Sequence, residues 1–430
     1  MNKEELRTSI REMRLHIPYT EDLTALSRPL TLRNGTVLQN RLANHPMEGC
    51  DGNEDGSPGE LTWRRYRRFA GSGVGLLWTE AVSVTEDGRA NPRQLWIHKE
   101  NVDAFSRLAE ELHRLCDAPV VIQLTHSGRF SRPHGTPAPV IAVHNPILNQ
   151  TSPIDPAYPV VSDDYLDRLE EQFVEAAILA KRAGFDGIDI KCCHRYLFSE
   201  LLSAYTREGR YGGSYENRTR LFFRVVSRVR EAFGDSVILA SRLGLYDALP
   251  YPHGFGGKRD DALQPDPEEA LRVLGGLHDR GMALIDVTMG TPYHNPHVNR
   301  PYRSGGYTPP EHPLKGVERL MEGAALYQRT FPDMAFVGTG YSYLGAAAPY
   351  AAAGAIEAGM ASMVGFGRIS FAYDTFARDM LRGALDSRKL CMACGKCTEI
   401  MRAGGTTGCP IRDKEVYMPI YRRYCLKEKE

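Results

Sequence analysis

Four of the nine cysteines crowd into one stretch near the end of the 430-residue chain, as Cys391-x2-Cys394-x2-Cys397 and, after eleven intervening residues, Cys409-Pro410. Three thiolates at successive x2 spacing with a remote Cys-Pro suit an iron–sulfur cubane, in which one compact turn offers three sulfurs and a distant residue completes the set. A structural zinc site usually pairs two separate Cys-x2-Cys knuckles, and this chain has one overlapping pair and a single distal cysteine. A [4Fe–4S] cluster is therefore the preferred reading, with zinc as the alternative. A second set of reactive types lies mid-chain, where Lys191, His194 and Tyr196 bring an ammonium, an imidazole and a phenol together. Cys192 and Cys193 between them read as small buried residues rather than nucleophiles.

These groups need elements to hold them. Short apolar, β-rich runs fall at 42–46, 75–80, 119–124, 186–191, 237–243, 284–288, 335–338 and 362–365. Helical spacing fills the intervals. The clearest case is 165–183, where Leu169, Phe173, Ala176 and Ala180 share a face and Gly184 supplies the stop. Eight strands apolar enough to be buried on both faces, alternating with helices, predict an α/β fold, a (β/α)8 TIM barrel. The rival, a two-domain Rossmann enzyme, requires a Gly-x-Gly-x-x-Gly turn after an early strand, and the sequence has none.

Active groups of such barrels sit at the C-terminal ends of the strands, so the residues there form one ring. In strand order the ring holds Pro46 and Met47; Glu80; Gln123 and His126; Lys191, His194 and Tyr196; Arg242; and Tyr293, His294 and His297. Gly338 and Gly340 follow the seventh strand, and Gly367 and Arg368 the eighth. Glycines there let backbone N–H groups approach an anion while the arginine adds charge, which predicts a phosphate site in the last two loops. Tyr293, His294 and His297 are a second donor set across the mouth, with loop packing as the plain alternative for each.

Composition narrows the partners. Lys plus Arg and Asp plus Glu both number 53, so no charge excess favours nucleic acid or an anionic membrane surface. No run of roughly 20 apolar residues offers a membrane span, and the polar start Met1-Asn2-Lys3-Glu4-Glu5 is unlike a signal peptide. The expectation is a cytoplasmic protein with unpaired cysteines and a small-molecule substrate, with a homo-oligomer left open.

Taken together, Asn40-Arg41 with Pro46-Met47, then Gln123-Leu-Thr-His126-Ser-Gly-Arg129, then Asp186-Gly-Ile-Asp189-Ile190 leading to His194 and Tyr196-Leu197, then Tyr211-Gly-Gly-Ser214 with Glu216-Asn217-Arg218, closely resemble the Old Yellow Enzyme family. The resemblance spans most of 28–385 in the same motif order. The branch with 2,4-dienoyl-CoA reductase and trimethylamine dehydrogenase also carries a cysteine segment after its barrel, and is the nearer match. That resemblance implies FMN across the barrel mouth. Gln123 would meet the pyrimidine edge, Arg242 would place positive charge near N1 and C2=O, and Pro46, Met47 and Ala81 would line the ring system. The plain alternatives are a capped strand end for Gln123 and a surface ion pair for Arg242.

The resemblance also implies roles at the fourth strand. Lys191 and His194 would hold the oxygen of an activated alkene while Tyr196 protonates the α-carbon after hydride arrives from the flavin. Lys191 departs from the family's usual histidine and suits a carboxylate, thioester enolate or phenolate. The cysteine spacing departs too, since the branch more often has three residues between its second and third cysteines. The expected layout is an N-terminal arm (1–39), an FMN-binding barrel (40–385) and a cysteine segment with tail (386–430) lying outside the barrel. A short tail follows Cys409, where the related reductases continue into a nicotinamide-binding module. Electrons are accordingly expected from NAD(P)H in the barrel mouth or from a separate electron-donor protein. Two alternatives to alkene reduction remain: an amine dehydrogenase or demethylase that exports electrons through the cluster, and a non-catalytic electron-transfer subunit.

Overall fold

The computed structural model describes residues 1–427. Eight parallel strands alternate with helices: β1 (Leu42–Asn44), β2 (Leu77–Ser83), β3 (Val120–Thr125), β4 (Gly187–Ile190), β5 (Ile238–Gly244), β6 (Leu284–Thr288), β7 (Ala335–Gly338) and β8 (Met363–Phe366). They follow one another around a single sheet, with β8 paired to β1. The ring closes between β1 and β2 through an Ala43–Leu76 bridge and a Gly75 N–H to Leu42 carbonyl bond of 2.8 Å. Asn44 reinforces that seam: its side chain accepts from the Trp78 N–H and donates to the Trp78 carbonyl, at 3.1 and 3.0 Å. This is the predicted (β/α)8 barrel.

Alternation along the strands separates two apolar layers. Ala43, Trp78, Val121, Ile238, Ala240, Leu284, Val337 and Met363 pack inside the barrel with Leu32 and Leu38. The last two sit on or beside a small hairpin, Leu30–Thr31 with Val37–Leu38, whose Asn34 donates to the Val237 carbonyl at 3.1 Å. That contact places the hairpin at the N-terminal end of β5, so it stoppers the bottom and leaves the C-terminal mouth for chemistry. Between strands and helices lies the larger apolar layer. The helix Asp163–Arg182 is typical: Ser162 caps its start, accepting from the Tyr165 N–H, and Leu169, Phe173, Ala176 and Ala180 are buried on its inner face.

One irregularity matters for the mouth. Between Trp78 and Ala81, β2 spends one more residue than β3 does between Val121 and Gln123. Such a bulge re-aims the strand end, and Ala81 emerges from it opposite Gln123.

The cysteine segment does not lie apart from the barrel. Helices Lys396–Arg402 and Lys414–Tyr421 fold back over the loops of the mouth. The Thr407 N–H bonds the Gly49 carbonyl at 2.7 Å, Arg64 grips Asp413 through two bonds of 2.7 and 2.9 Å, and Arg402 reaches the Pro292 carbonyl at 2.9 Å. Among the described residues no helix is long and apolar enough to cross a membrane.

Candidate active site

The strands that bury Trp78, Val121 and Ala240 turn polar one layer higher, where Gln123, Asp189, Arg242, Asp286 and His45 meet. Asp189 accepts three bonds: from Gln123 Nε2 at 2.6 Å, Trp78 Nε1 at 3.0 Å and the Arg242 backbone N–H at 2.8 Å. Burial nonetheless pushes its pKa up to about 7, with Asp286 adding to the rise against those donors. Because the Gln123 amide nitrogen is engaged below, its carbonyl oxygen is the end left for a ligand. Arg242 donates to the Pro46 carbonyl at 2.9 Å and its Nε lies 3.2 Å from Asp286. Its ion pair thus lies inside the barrel and is not the surface pair of the plain alternative.

Above this layer opens a cavity. Pro46, Met47, Ala81, Gln123, Lys191, His194, Tyr196, Arg242, Tyr293, Gly340, Gly367 and Arg368 all line it. Residues from most of the strand ends thus converge although they span more than 300 positions. Five residues of the expected ring stand elsewhere, the first two being Glu80, which pairs with Arg65, and His126, whose Nε2 lies 2.9 Å from the Tyr165 hydroxyl. Gly338 abuts Tyr341, and a Cβ added there would lie only 3.1 Å from the phenol oxygen. His294 bridges back to Thr291 across its own loop, and His297 faces a separate cavity, its Nδ1 2.5 Å from the Tyr307 hydroxyl.

The fourth-strand loop is held in an uncommon backbone. His194 and Arg195 both have positive φ, 63° and 61°, which non-glycine residues adopt rarely and mostly where surroundings enforce it. Arg195 supplies the enforcement, being fully buried and bonded to Asp247 at 2.8 Å, Ser203 at 2.6 Å and the Ser199 carbonyl at 3.2 Å. His194 then lines the cavity with Nε2 left without a hydrogen-bond partner among the described residues. Burial, with Arg242 and Lys191 nearby, holds its pKa well below the ordinary 6.5, so the ring is neutral.

Tyr196 donates a 2.6 Å hydrogen bond to Glu48. Burial and the Glu48 charge raise its pKa well above 10, which keeps the phenol protonated. Lys191 sits against the pair, its Nζ 3.8 Å from the centre of the Tyr196 ring and 3.7 Å from Glu48. Burial lowers the Lys191 pKa, opposed by Glu48. Tyr293 completes this wall, stacked on Phe130 at 3.5 Å between ring centres. Sequence reasoning missed Glu48, whose only hint is its place directly after Met47, at the end of the first strand.

The opposite end of the cavity is cationic and rich in close backbone. At Gly365 a Cβ would fall 2.1 Å from His45 Cε1, so only glycine leaves that imidazole its place. Gly340 has φ +97°, and Thr339, Ser342, Gly367 and Arg368 surround it on the cavity wall. Helix Lys396–Arg402 contributes Thr398 and Met401 to the same wall. On its other side Cys391, Cys394, Cys397 and Cys409 line a smaller cavity, which also touches Arg368. Left-handed Ala393 and Gly395 curl the turn, and two backbone N–H groups, of Ala393 and Arg412, point at Cys391 and Cys409 sulfurs at 3.4 Å. Among the described residues no three of these sulfurs lie within 4.8 Å of one another.

A closed barrel whose mouth joins an amide acceptor, a buried guanidinium, a neutral imidazole and a glycine-lined anion pocket is that of a flavin-dependent oxidoreductase. Residues 25–253 match the NADH:flavin oxidoreductase / NADH oxidase family, and the chain belongs to that family. With the family comes FMN. Among its relatives, an NADPH dehydrogenase of Geobacillus thermodenitrificans is 31% identical over 277 residues, 62% of this chain and 73% of that protein. An NADH oxidase of Thermoanaerobacter brockii is 29% identical over 260 residues, 59% of this chain but 37% of its own length. In three dimensions a 2-naphthoyl-CoA reductase, solved as its complex with 2-naphthoyl-CoA, superposes with a TM-score of 0.75 at 17% identity, covering 94% of this chain and 58% of the reductase. The chain thus spans well under two thirds of two of these proteins.

Proposed function

We propose that this protein reduces an electron-poor C=C bond conjugated to a carboxylate, thioester or related carbonyl, with FMN in the mouth and a [4Fe–4S] cluster on the four cysteines. The carrying observation is that a protonated phenol, Tyr196, and an unpartnered neutral imidazole, His194, stand in one cavity with Gln123 and Arg242. When bound, FMN supplies the hydride for the β-carbon. Gln123, its amide fixed by Asp189, would take a ring N–H, and Arg242 would offset the negative charge of the reduced ring. Pro46, Met47 and Ala81 would contact the ring system, and Gly340, Gly367 and Arg368 its phosphate.

On the substrate side, His194 would donate to the developing oxyanion while Lys191 adds positive charge. Tyr196 would give its proton to the α-carbon. Glu48 anchors the phenol oxygen, whose O–H would turn from Glu48 to the α-carbon to react, and, with 19% of its side chain exposed, offers the path by which a solvent proton returns. Amine oxidation would need the Tyr196 face for a cation, but the Lys191 ammonium already occupies it at 3.8 Å. That contact favours alkene reduction.

The sulfur separations support a cluster over zinc. A tetrahedral zinc with bonds of about 2.3 Å draws its sulfurs to roughly 3.8 Å of one another, closer than this turn brings them. The test is chemical. Anaerobically purified protein should release FMN rather than FAD, contain iron and acid-labile sulfide, and show flavin bleaching on mixing with NADH, NADPH or reduced ferredoxin, followed by recovery of colour with an alkene. Flavin-free protein after reconstitution, or stoichiometric zinc without sulfide, would refute the corresponding cofactor.

A further inference from the structure

The loop after β6 brings Arg300 to the cavity, next to Pro301 and directly after the short helix Pro296–Asn299. Its guanidinium has no hydrogen bond or ion pair with any described residue, and its nearest charged company is cationic. Burial first, then Arg368 and Arg402, press its pKa down to about 10. Those two neighbours are themselves bonded only to backbone carbonyls, Arg368 to Pro301 at 2.8 Å and Arg402 to Pro292 at 2.9 Å. The one carboxylate lining the cavity, Glu48, is engaged with Tyr196 and Lys191. Arg300 and Arg368 are half-buried and Arg402 is exposed, and guanidiniums that converge without a counter-charge are costly to desolvate unless an anion joins them.

The place of the anion follows from the rest of the wall. Arg300 shares the cavity with Thr339, Gly340 and Ser342 after β7 and with Gly367 and Arg368 after β8, the strand ends at which barrels hold phosphate. Lys191, His194 and Tyr196 come from β4, on the other side of the ring. We propose that Arg300 is the second guanidinium of a phosphate clamp, joining Arg368 on the terminal phosphate of the flavin. This rests on the FMN reading above and adds to it a residue from a third loop. Two planar forks can satisfy more phosphate oxygens than one.

The cysteine turn holds that loop in place. The Arg303 N–H bonds the Ala393 carbonyl at 3.3 Å, and the Ser304 hydroxyl reaches the Cys394 carbonyl at 3.5 Å. Arg300 is thus delivered to the flavin cavity by a segment anchored on the residues between the cysteines.

Riboflavin, which lacks the phosphate, separates a clamp from a merely shaped wall. Flavin-stripped wild type, Arg300→Gln and Arg300→Lys would be titrated with FMN and with riboflavin by fluorescence quenching, with thermal melts to establish folding. Arg300→Gln should weaken FMN by about 10- to 100-fold, the range for a lost charge-assisted bond, and leave riboflavin within about twofold. Arg300→Lys should recover part of the loss, since an ammonium still serves phosphate as a point charge. Equal weakening of both flavins would overturn the clamp in favour of a packing role, and no change in either would assign Arg300 to a different anion. Failure of wild type to bind FMN while binding no other flavin would instead bring down the cofactor reading itself.

Discussion

Replacing Tyr196 by Phe removes one O–H and little else, which makes it the sharpest test of the proton path. The ring that Lys191 covers at 3.8 Å remains, as does its packing on the wall with Phe130. What disappears is the 2.6 Å bond to Glu48 and the proton it carries. Reduction of the flavin by its donor does not use that proton, so its rate should be unchanged within about twofold. Reoxidation by an alkene should slow by roughly 10²- to 10⁴-fold, the range for a lost general acid. Anaerobic stopped-flow records the two half-reactions separately through the flavin absorbance.

Glu48→Gln provides the graded companion. It keeps an acceptor for the phenol but removes the charge, which turns a charge-assisted bond into a neutral one and forfeits about 1 kcal/mol, or roughly fivefold. The pH dependence has a definite sign. Tyr196, with its pKa pushed above 10, stays protonated through neutral pH and gives no limb there. Lys191 is lowered from 10.5 by burial, so any loss of substrate charge-pairing should begin on the alkaline side below that value as the ammonium deprotonates. Equal alkene-driven reoxidation in wild type and Tyr196→Phe would remove Tyr196 from the chemistry and refute the reasoning.

Three further outcomes follow from the geometry. Cys397→Ser should cost iron and sulfide and also weaken FMN, because Thr398 and Met401 of the same helix line the flavin cavity; iron, sulfide and flavin per chain measure it. Gly365→Ala should expel FMN or the fold's stability along with His45, since the new methyl would lie 2.1 Å from that ring, and overpacking of this kind costs about 1–3 kcal/mol in denaturant melts. Glu200→Ala leaves Arg129 charged, fully buried and without its carboxylate, which should cost about 3–5 kcal/mol by the same assay.

The barrel was legible because strands buried on both faces write themselves as continuous apolar runs. Every one of the eight runs overlaps an observed strand. Ends were less legible: the first run extends to Pro46, but pairing stops at Asn44, with His45 still donating to the Phe366 carbonyl before proline removes the next donor. The bulge before Ala81 has no signature in sequence, since it arises from how β2 meets β3. Ring residues that lie on a strand end, such as Gln123 and Arg242, could be placed by alternation alone. Residues deeper in loops could not, because position in a loop says nothing about facing; His297 turns to Tyr307 while Arg300, three residues on, turns to the large cavity. Glu48 lies 148 residues from its partner Tyr196, so no local pattern could announce it. Several motif residues prove to be ties: Arg129 pairs with Glu200, and Arg218 reaches Glu269 and the Leu202 carbonyl.

The cysteine segment follows the eight strands, and its anchors lay it across the loops of the mouth. Residue 397 faces the small cavity while 398 and 401 face the large one, so a single helix forms the partition between the two. Arg368 touches both cavities from the barrel side. The segment also reaches the catalytic wall: Thr407 bonds the carbonyl of Gly49, whose own N–H bonds Glu80 at 2.8 Å. The loop that carries Glu48 is therefore fastened from below by the barrel and from above by the cysteine segment. A group bound by the four cysteines would stiffen that upper fastening, and with it the direction of the Tyr196 hydroxyl. Loss of the cysteine-bound group should then alter the alkene half-reaction as well as electron delivery, whereas a detached electron-carrying appendage would affect delivery alone.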